Sequence, residues 1–314
     1  MSATSGLPRK SAEILASIGQ HRVLTTEQVR RLHLPGRSSR RAQQLLAHLW
    51  AAGLIERVQA PVDLPRRLWF LSRSGALAAK VSGIVSEVPA TLSPEQVTGQ
   101  LQEHTMAVND SMICFAEAAR ERGDEFGPLS WRHEVTHTFG KGRGHRRQLL
   151  RADAVMTYLR LEGDGVLIEQ RFIEVDRATL ATDRLAAELT AYARLNRAED
   201  DLGEPAWRST YPAFPPVLCI LAGASREALE RRRSTTIALL ASDPELTRAP
   251  EVSVLFCLDL DLREHGPFEA IFTGPRDRQP VNWLGQPSER GNLWRPPRTG
   301  PRLEPAGRSS TVTA

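Results

Sequence analysis

The segment Phe172-Ile173-Glu174-Val175-Asp176-Arg177-Ala178-Thr179 constrains the fold more than any other part of this chain. It is an apolar run that ends in two carboxylates two residues apart. Side chains alternate along a strand, so Glu174 and Asp176 face the same way. An earlier apolar run, Leu149 to Leu161, is separated from it by the turn sequence Glu162-Gly163-Asp164-Gly165. A hairpin of these runs brings Asp153 beside Glu174. Carboxylates converging at a strand end suit a hard cation. Asp153 and Glu174 are therefore candidate ligands for Mg²⁺, and Asp153, Glu174 and Asp176 form a candidate catalytic set. The structural alternative pairs Asp176 with Arg177 or Arg184, and Glu174 with Arg151 or Arg171.

Charge is divided unevenly along the 314 residues. Residues 1–92 carry 13 Lys+Arg against 5 Asp+Glu, residues 93–264 carry 21 against 28, and residues 265–314 carry 7 against 4. A basic first part meets a polyanion, and an acidic second part does not coat one broadly. No apolar run approaches the ~20 residues of a membrane span, and no signal pattern opens the chain, so a cytoplasmic protein without membrane contact is expected. The three cysteines, Cys114, Cys219 and Cys257, lie far apart in apolar surroundings and read as buried thiols.

The first 81 residues predict a winged helix-turn-helix. Ile14, Leu15 and Ile18 mark a first helix, and Thr25-Thr26-Glu27-Gln28 is a capping box opening a second. A third helix from Ser38 or Ser39 to Gly53 buries Ala42, Leu45, Leu46, Leu49 and Ala52. Its other face shows Ser39, Arg40, Arg41, Gln43, Gln44 and His48. Strands over Leu54–Val58 and Arg67–Leu71 follow, then a helix capped by Ser72. In such a unit the third helix enters the major groove of double-stranded DNA. Arg40, Gln43 and Gln44 are then the base-reading candidates, because Arg and Gln make bidentate bonds to G and A. Arg66 and Arg67 in the wing would meet phosphate. A winged helix used only for protein contact is the alternative, and the basic balance of residues 1–92 disfavours it.

Residues 82–93 read as a linker, and residues 94–264 as an α/β domain. Ser93-Pro94-Glu95-Gln96 opens a long helix whose stripe includes Val97, Leu101, His104, Val108, Met112 and Phe115. A strand over Trp131–Phe139 precedes the basic loop Gly140–Arg147, a candidate phosphate contact or an exposed hairpin tip. After the carboxylate hairpin, Thr179 is the expected cap of a helix bearing Leu185, Leu189, Tyr192 and Leu195. Pro216–Ala222 and Val252–Leu260 read as strands around a helix over Ser225–Ala241. Residues 265–314 read as a mostly disordered Pro/Arg-rich tail.

His133-Glu134-Val135-Thr136-His137 matches the His-Glu-x-x-His pattern of zinc proteases, which requires a helix. Here β-branched Val135, Thr136 and Thr138 favour a strand, in which the two histidines stand ~13 Å apart and cannot share a metal.

Taken in order, a winged helix, His104, Asn109-Asp110, Trp131, Glu134, Asp153, Glu174-Val175-Asp176-Arg177-x-Thr179 and Tyr192 resemble the replication-relaxation family over residues 10–260. That resemblance implies a protein of plasmids or integrated mobile elements, active in replication or DNA relaxation. Double-stranded DNA, a second copy in a homodimer, and replication or transfer proteins are the expected partners. The second domain also resembles the restriction-endonuclease-like (PD-(D/E)xK-like) fold, in which Asp153 and Glu174 match the two metal-binding acids. Asp176 stands where that fold carries lysine, and no lysine follows Lys141. A water activated there lacks its usual partner. The resemblance thus leaves three readings open: a DNA-binding protein with an inactive nuclease-like domain, an Mg²⁺-dependent nicking nuclease, and a regulator of plasmid genes.

Overall fold

The computed structural model describes residues 7–59, 67–97, 100–140, 148–163 and 165–286. It is a mixed α+β protein, with two sheets among the described residues. Helices α1 (Arg9–His21), α2 (Thr26–His33) and α3 (Ser39–Ala51) precede a small sheet of β1 (Leu24–Thr25), β2 (Ile55–Gln59) and β3 (Arg67–Leu71), in the order β1-β3-β2. The capping box at Thr25 forms as its sequence predicts. Gln28 N–H donates to Thr25 Oγ1, and Thr25 N–H donates back to Gln28 Oε1, both at 3.0 Å. Helix α4 (Arg73–Val81) is capped by Ser72. Gly75 allows it to approach the sheet, since a Cβ there would lie 1.8 Å from the Leu54 carbonyl oxygen. Ala52, expected on the buried stripe of α3, is exposed beyond the helix end, where the stripe no longer has a neighbour to face.

After α5 (Pro94–Val97), α6 (Gln100–Arg122) forms the spine of the molecule. Behind it lies a five-stranded sheet of β4 (Trp131–Phe139), β5 (Gln148–Glu162), β6 (Gly165–Asp176), β7 (Val217–Leu221) and β8 (Val254–Leu258), in that order. The first three strands are antiparallel, and β6, β7 and β8 are parallel. Helices α7 (Thr182–Arg197) and α8 (Arg226–Ala241), with the single turn α9 (Pro244–Thr247), cover one face. Helices α6 and α10 (Asp259–His265) cover the other. Ile173 and Val175 point to the α6 side, whereas Phe172 packs under α7, as strand alternation requires.

The apolar core is continuous from Ile14, Leu15 and Ile18 of α1 through Val108, Met112 and Phe115 of α6 into the sheet. Three expectations are corrected. The helix after β6 begins at Thr182 with Ala181 as its cap, three residues beyond Thr179, because Ala178 turns at φ +56°. The last strand stops at Leu258, and Asp259 and Asp261 open α10, where carboxylates suit a helix N-terminus. Residues 265–286 do not belong to a disordered tail: Phe272 and Trp283 are fully buried, and Trp283 packs edge-on to Phe115 with ring centroids 5.5 Å apart. Two large aromatic rings outweigh the Pro- and Arg-rich composition around them.

Candidate functional site

Helix α3 presents a polar face that nothing in the described structure covers. Ala42, Leu46 and Leu49 are buried against the core. Ser39, Arg40, Arg41, Gln43, Gln44 and His48 are all exposed. His48 Nδ1 lies 2.6 Å from the Gln44 carbonyl oxygen, one turn earlier. Among the described residues neither Arg40 nor Arg41 has a carboxylate partner, although most of the other described arginines do. Arg67 is exposed at the start of β3. Arg66 lies outside the described residues, as does most of the basic loop, residues 141–147. One feature escaped sequence reasoning. Trp50, at the end of α3, is 45% exposed, and the Arg57 guanidinium of β2 sits 4.1 Å over its ring. An exposed tryptophan extends the basic face with a flat apolar surface; it fell off the helical stripe, and that was its only signal.

The carboxylates meet at a fork in the large sheet. Strands β5 and β6 stay paired from Glu162/Gly165 to Ala154/Ile173, then separate. At the fork the Asp153 side chain takes the place of a backbone carbonyl, with Oδ2 accepting from Val175 N–H at 2.8 Å. Its other oxygen, Oδ1, is 2.9 Å from His104 Nε2 of α6. That contact raises the His104 pKa above the ordinary histidine value, against the opposing effect of burial. Glu174 lies on the α7 side, hydrogen-bonded by the Tyr192 hydroxyl. Burial, then the nearby Asp153 carboxylate, push the Glu174 pKa well above the usual range. Burial and Glu174 likewise push up Tyr192. Glu188, on α7, feels the same field and is also raised, by burial and by Asp153 and Asp176. Sequence reasoning passed over Glu188, since one acid on an exposed helical face carries no signal.

Asp176 does not join this pair. It shares a face with Glu174, but Arg232 of α8 takes both its oxygens: Nη2 donates to Oδ1 at 3.0 Å and Nε donates to Oδ2. Both side chains are nearly excluded from solvent, at 10% and 6% exposure. Ala178 N–H donates to Oδ1 as well, at 3.2 Å. The ion-pair partners proposed from sequence are also replaced. Arg177 binds Glu103, Arg184 reaches Glu188, and Arg171 binds Glu169. Gly223 makes room for this corner at φ +80°, where a Cβ would meet the Arg177 carbonyl oxygen at 2.8 Å.

Asp176, held by Arg232, does not complete a three-carboxylate set with Asp153 and Glu174. Among the described residues no three His, Cys, Asp or Glu side chains are grouped to hold a metal ion. The Asp153 carboxylate lies close enough to Glu174 to raise its pKa, whereas Asp176 is paired with Arg232.

The other motif residues turn toward the N-terminal helices. His133 and His137 lie on β4, as the β-branched run predicts, and reach different partners. His137 Nε2 meets the Tyr211 hydroxyl at 2.7 Å, and His133 Nε2 is 3.0 Å from Asn109 Oδ1. His133 Nε2 is also 3.2 Å from Nδ1 of His21, whose ring stacks on Trp131 at 4.0 Å. Burial lowers His133 to about 4 and lowers His21 well below its ordinary value, so both rings are neutral near pH 7. Asn109 donates to the Val23 carbonyl at 3.2 Å, and Asp110 accepts from Gln28 at 2.9 Å. Arg22 and Glu134 pair at 2.6 Å. Both hold left-handed backbone, at φ +67° and +50°, a conformation that costs a non-glycine residue of order 1 kcal/mol or more. Asn109, Asp110, Trp131 and Glu134 thus clamp the N-terminal unit onto α6 and β4, and only His104 of that group reaches the carboxylates.

The replication-relaxation family model matches residues 15–204, from α1 to just beyond α7. This chain belongs to the replication-relaxation family. The matched segment contains α3, the clamp and the Asp153–Glu174–Tyr192 cluster, whereas Arg232 lies outside it. Comparison with curated proteins gives no match, and comparison with solved structures gives none. No helix among the described residues is long and apolar enough to cross a membrane.

Proposed function

We propose that this replication-relaxation protein binds double-stranded DNA sequence-specifically, in the replication or DNA relaxation of a plasmid or integrated mobile element. In this reading α1 to β3 form a winged helix-turn-helix, and α3 enters the major groove. Arg40, Gln43 and Gln44 read base edges, Arg41 and Arg67 contact phosphate, and Trp50 with Arg57 flanks the groove. The observation that carries the proposal is the α3 face itself. Two arginines and two glutamines are exposed side by side, and among the described residues neither arginine has a carboxylate partner, on a helix whose apolar face is fully used. Arginine left without a carboxylate is available to nucleic acid at no cost in broken ion pairs.

The large sheet is, in the same proposal, a restriction-endonuclease-like fold that serves as scaffold. The antiparallel hairpin followed by parallel strands, with two acids at the fork, supports that assignment. Retardation of DNA from the protein's own element at low salt is the test. A full-length protein that shifts no such DNA refutes the proposal.

A metal-dependent nicking activity is the second reading. It is favoured by one observation, Asp153 held at 2.9 Å by His104 with the buried Glu174 carboxyl near it. Supercoiled plasmid incubated with Mg²⁺, Mn²⁺ or EDTA separates the two. Metal-dependent open circles that vanish in Glu174→Ala establish a nuclease. Unchanged plasmid with clear binding leaves the scaffold role.

A further inference from the structure

Among the described residues three non-glycine residues hold left-handed backbone, and two of them, Arg22 and Glu134, are ion-pair partners of each other. Arg22, at φ +67° and ψ −49°, makes a γ-turn of the rare, strained form, closed by Val23 N–H donating to the His21 carbonyl at 2.7 Å. Glu134 lies where β4 and β5 change faces together. His133 pairs with Ala154 and Val135 with Ala152, so Glu134 stands opposite Asp153. Residues an even number apart share one face of a regular strand. Here Trp131 and Ala154 join the α6-side core, whereas Val135 and Ala152 pack with the α7-side core. Such a break re-aims the side chains at it, as a β-bulge does beside a functional site. Backbone strain of this kind gathers at ligand clamps and switch regions.

Docking of the N-terminal unit does not depend on this ion pair. Gln20 donates to the Trp131 carbonyl at 2.8 Å, Asn109 to the Val23 carbonyl at 3.2 Å, and Gln28 to Asp110 at 2.9 Å. The apolar core also runs unbroken from α1 into α6. What the pair does is gather two guanidiniums from separate elements onto one carboxylate. Arg22 Nη1 is 2.6 Å from Glu134 Oε2, and Arg151 Nη1 of β5 is 3.9 Å from Oε1. Among the described residues neither arginine has another carboxylate. Glu134 is 35% exposed, Arg22 41% and Arg151 58%, so an anion from solvent can reach both guanidiniums. Two arginines on one carboxylate leave an excess positive charge. A phosphate matches two guanidinium forks better than a carboxylate does, since it offers more acceptor oxygens.

We infer that Arg22 and Arg151 form a binding site for a backbone phosphate of DNA beside Asp153, and that Glu134 occupies it as a stand-in anion. The inference takes its ligand from the DNA-binding reading above, but it does not depend on α3. Exposed ion pairs are weak, so a phosphate displaces Glu134 at little cost. Arg40 and Arg41 of α3 need no such exchange. The exchange sets a phosphodiester next to Asp153 and its partner His104.

Fluorescence anisotropy over a range of salt tests this, with a duplex from the protein's own element and an unrelated duplex. Glu134→Gln removes the stand-in anion and should tighten both duplexes about 3-fold or more at low salt, the range expected on freeing arginines from an exposed ion pair. Arg22→Gln and Arg151→Gln should each weaken both duplexes alike and flatten the dependence of log Kd on log salt by about 0.9. Combined with Glu134→Gln, they should cancel its gain. Arg151 lies outside the clamp, so Arg151→Gln reads the site even where Arg22→Gln disturbs folding. Glu245→Gln controls for the lost charge: Glu245 is similarly exposed and paired with Arg197 and Arg248, and its loss should leave both affinities unchanged. Equal affinity for the two duplexes refutes base reading by α3 but leaves this comparison intact, because unrelated DNA reports it too. No gain in Glu134→Gln overturns the inference. So does a gain that survives loss of both arginines, or one that Glu245→Gln reproduces. If neither the wild type nor Glu134→Gln binds either duplex, both readings fall.

Discussion

Replacing Arg232 by methionine tests whether Asp176 belongs to the fold or to the site. Arg232 and Asp176 are 10% and 6% exposed and joined by two hydrogen bonds. Removing one partner of such a pair leaves an uncompensated buried charge, at a cost of about 3–5 kcal/mol. In urea, with a slope of roughly 1–3 kcal/mol per molar, the unfolding midpoint should fall by at least ~1 M. Asp176→Leu combined with Arg232→Met removes both charges and should recover most of that loss, since an apolar pair of similar volume is about neutral against a buried ion pair. Tryptophan fluorescence in urea follows all three variants, because Trp131 and Trp283 are buried in the core. A loss below ~1 kcal/mol in Arg232→Met, the range of exposed ion pairs, refutes the reasoning. Asp176 would then carry its charge without Arg232 and be free to act with Asp153 and Glu174.

Other outcomes follow from the same structure. Arg40→Ala and Gln43→Ala should each cost about 1–3 kcal/mol of binding to the cognate DNA site, with much less loss on unrelated DNA; fluorescence anisotropy on both duplexes checks this, and equal losses on both would assign these residues to phosphate. Stability should fall as pH drops from 6.5 through about 4, because folding requires neutral His133 and His21 while the unfolded chain protonates them first. Thermal melts across that window should show the slope reduced in His133→Asn, and an unchanged slope would remove these rings as its source. Tyr192→Phe should raise the Glu174 titration midpoint further, because the hydroxyl bond favours the ionised carboxyl. Infrared titration of the carboxyl band against Glu174→Gln checks the sign; a fall would mean that Tyr192 stabilises the protonated form.

Much of the secondary structure is carried by local sequence signals. The Thr25–Gln28 capping box, the apolar stripe of α3, the strand run Trp131–Phe139 and the hairpin turn at Glu162–Gly165 each depend on residues within one or two turns of chain. The same is true of the pairing of Asp153 with Glu174, since one tight turn fixes the register of both strands. The exposed polar face of α3 was legible for the same reason, because one helical period separates it from the buried stripe.

Tertiary structure decided what the charges do. Asp176 shares a strand face with Glu174, yet its partner Arg232 comes from 56 residues downstream, and no local pattern marks it. Arg177 likewise finds Glu103 across 74 residues. Asn109, Asp110, Trp131 and Glu134 carry the family resemblance in sequence, but only packing shows that they clamp the N-terminal unit rather than complete the acid cluster. Trp283 enters the core from a segment whose composition reads as unstructured. Local propensity and alternation are short-range properties of the chain, so the sequence alone determines which elements form and which face each presents. The choice among many arginines for one carboxylate depends on which elements meet in space, and that is set only when the apolar faces pack.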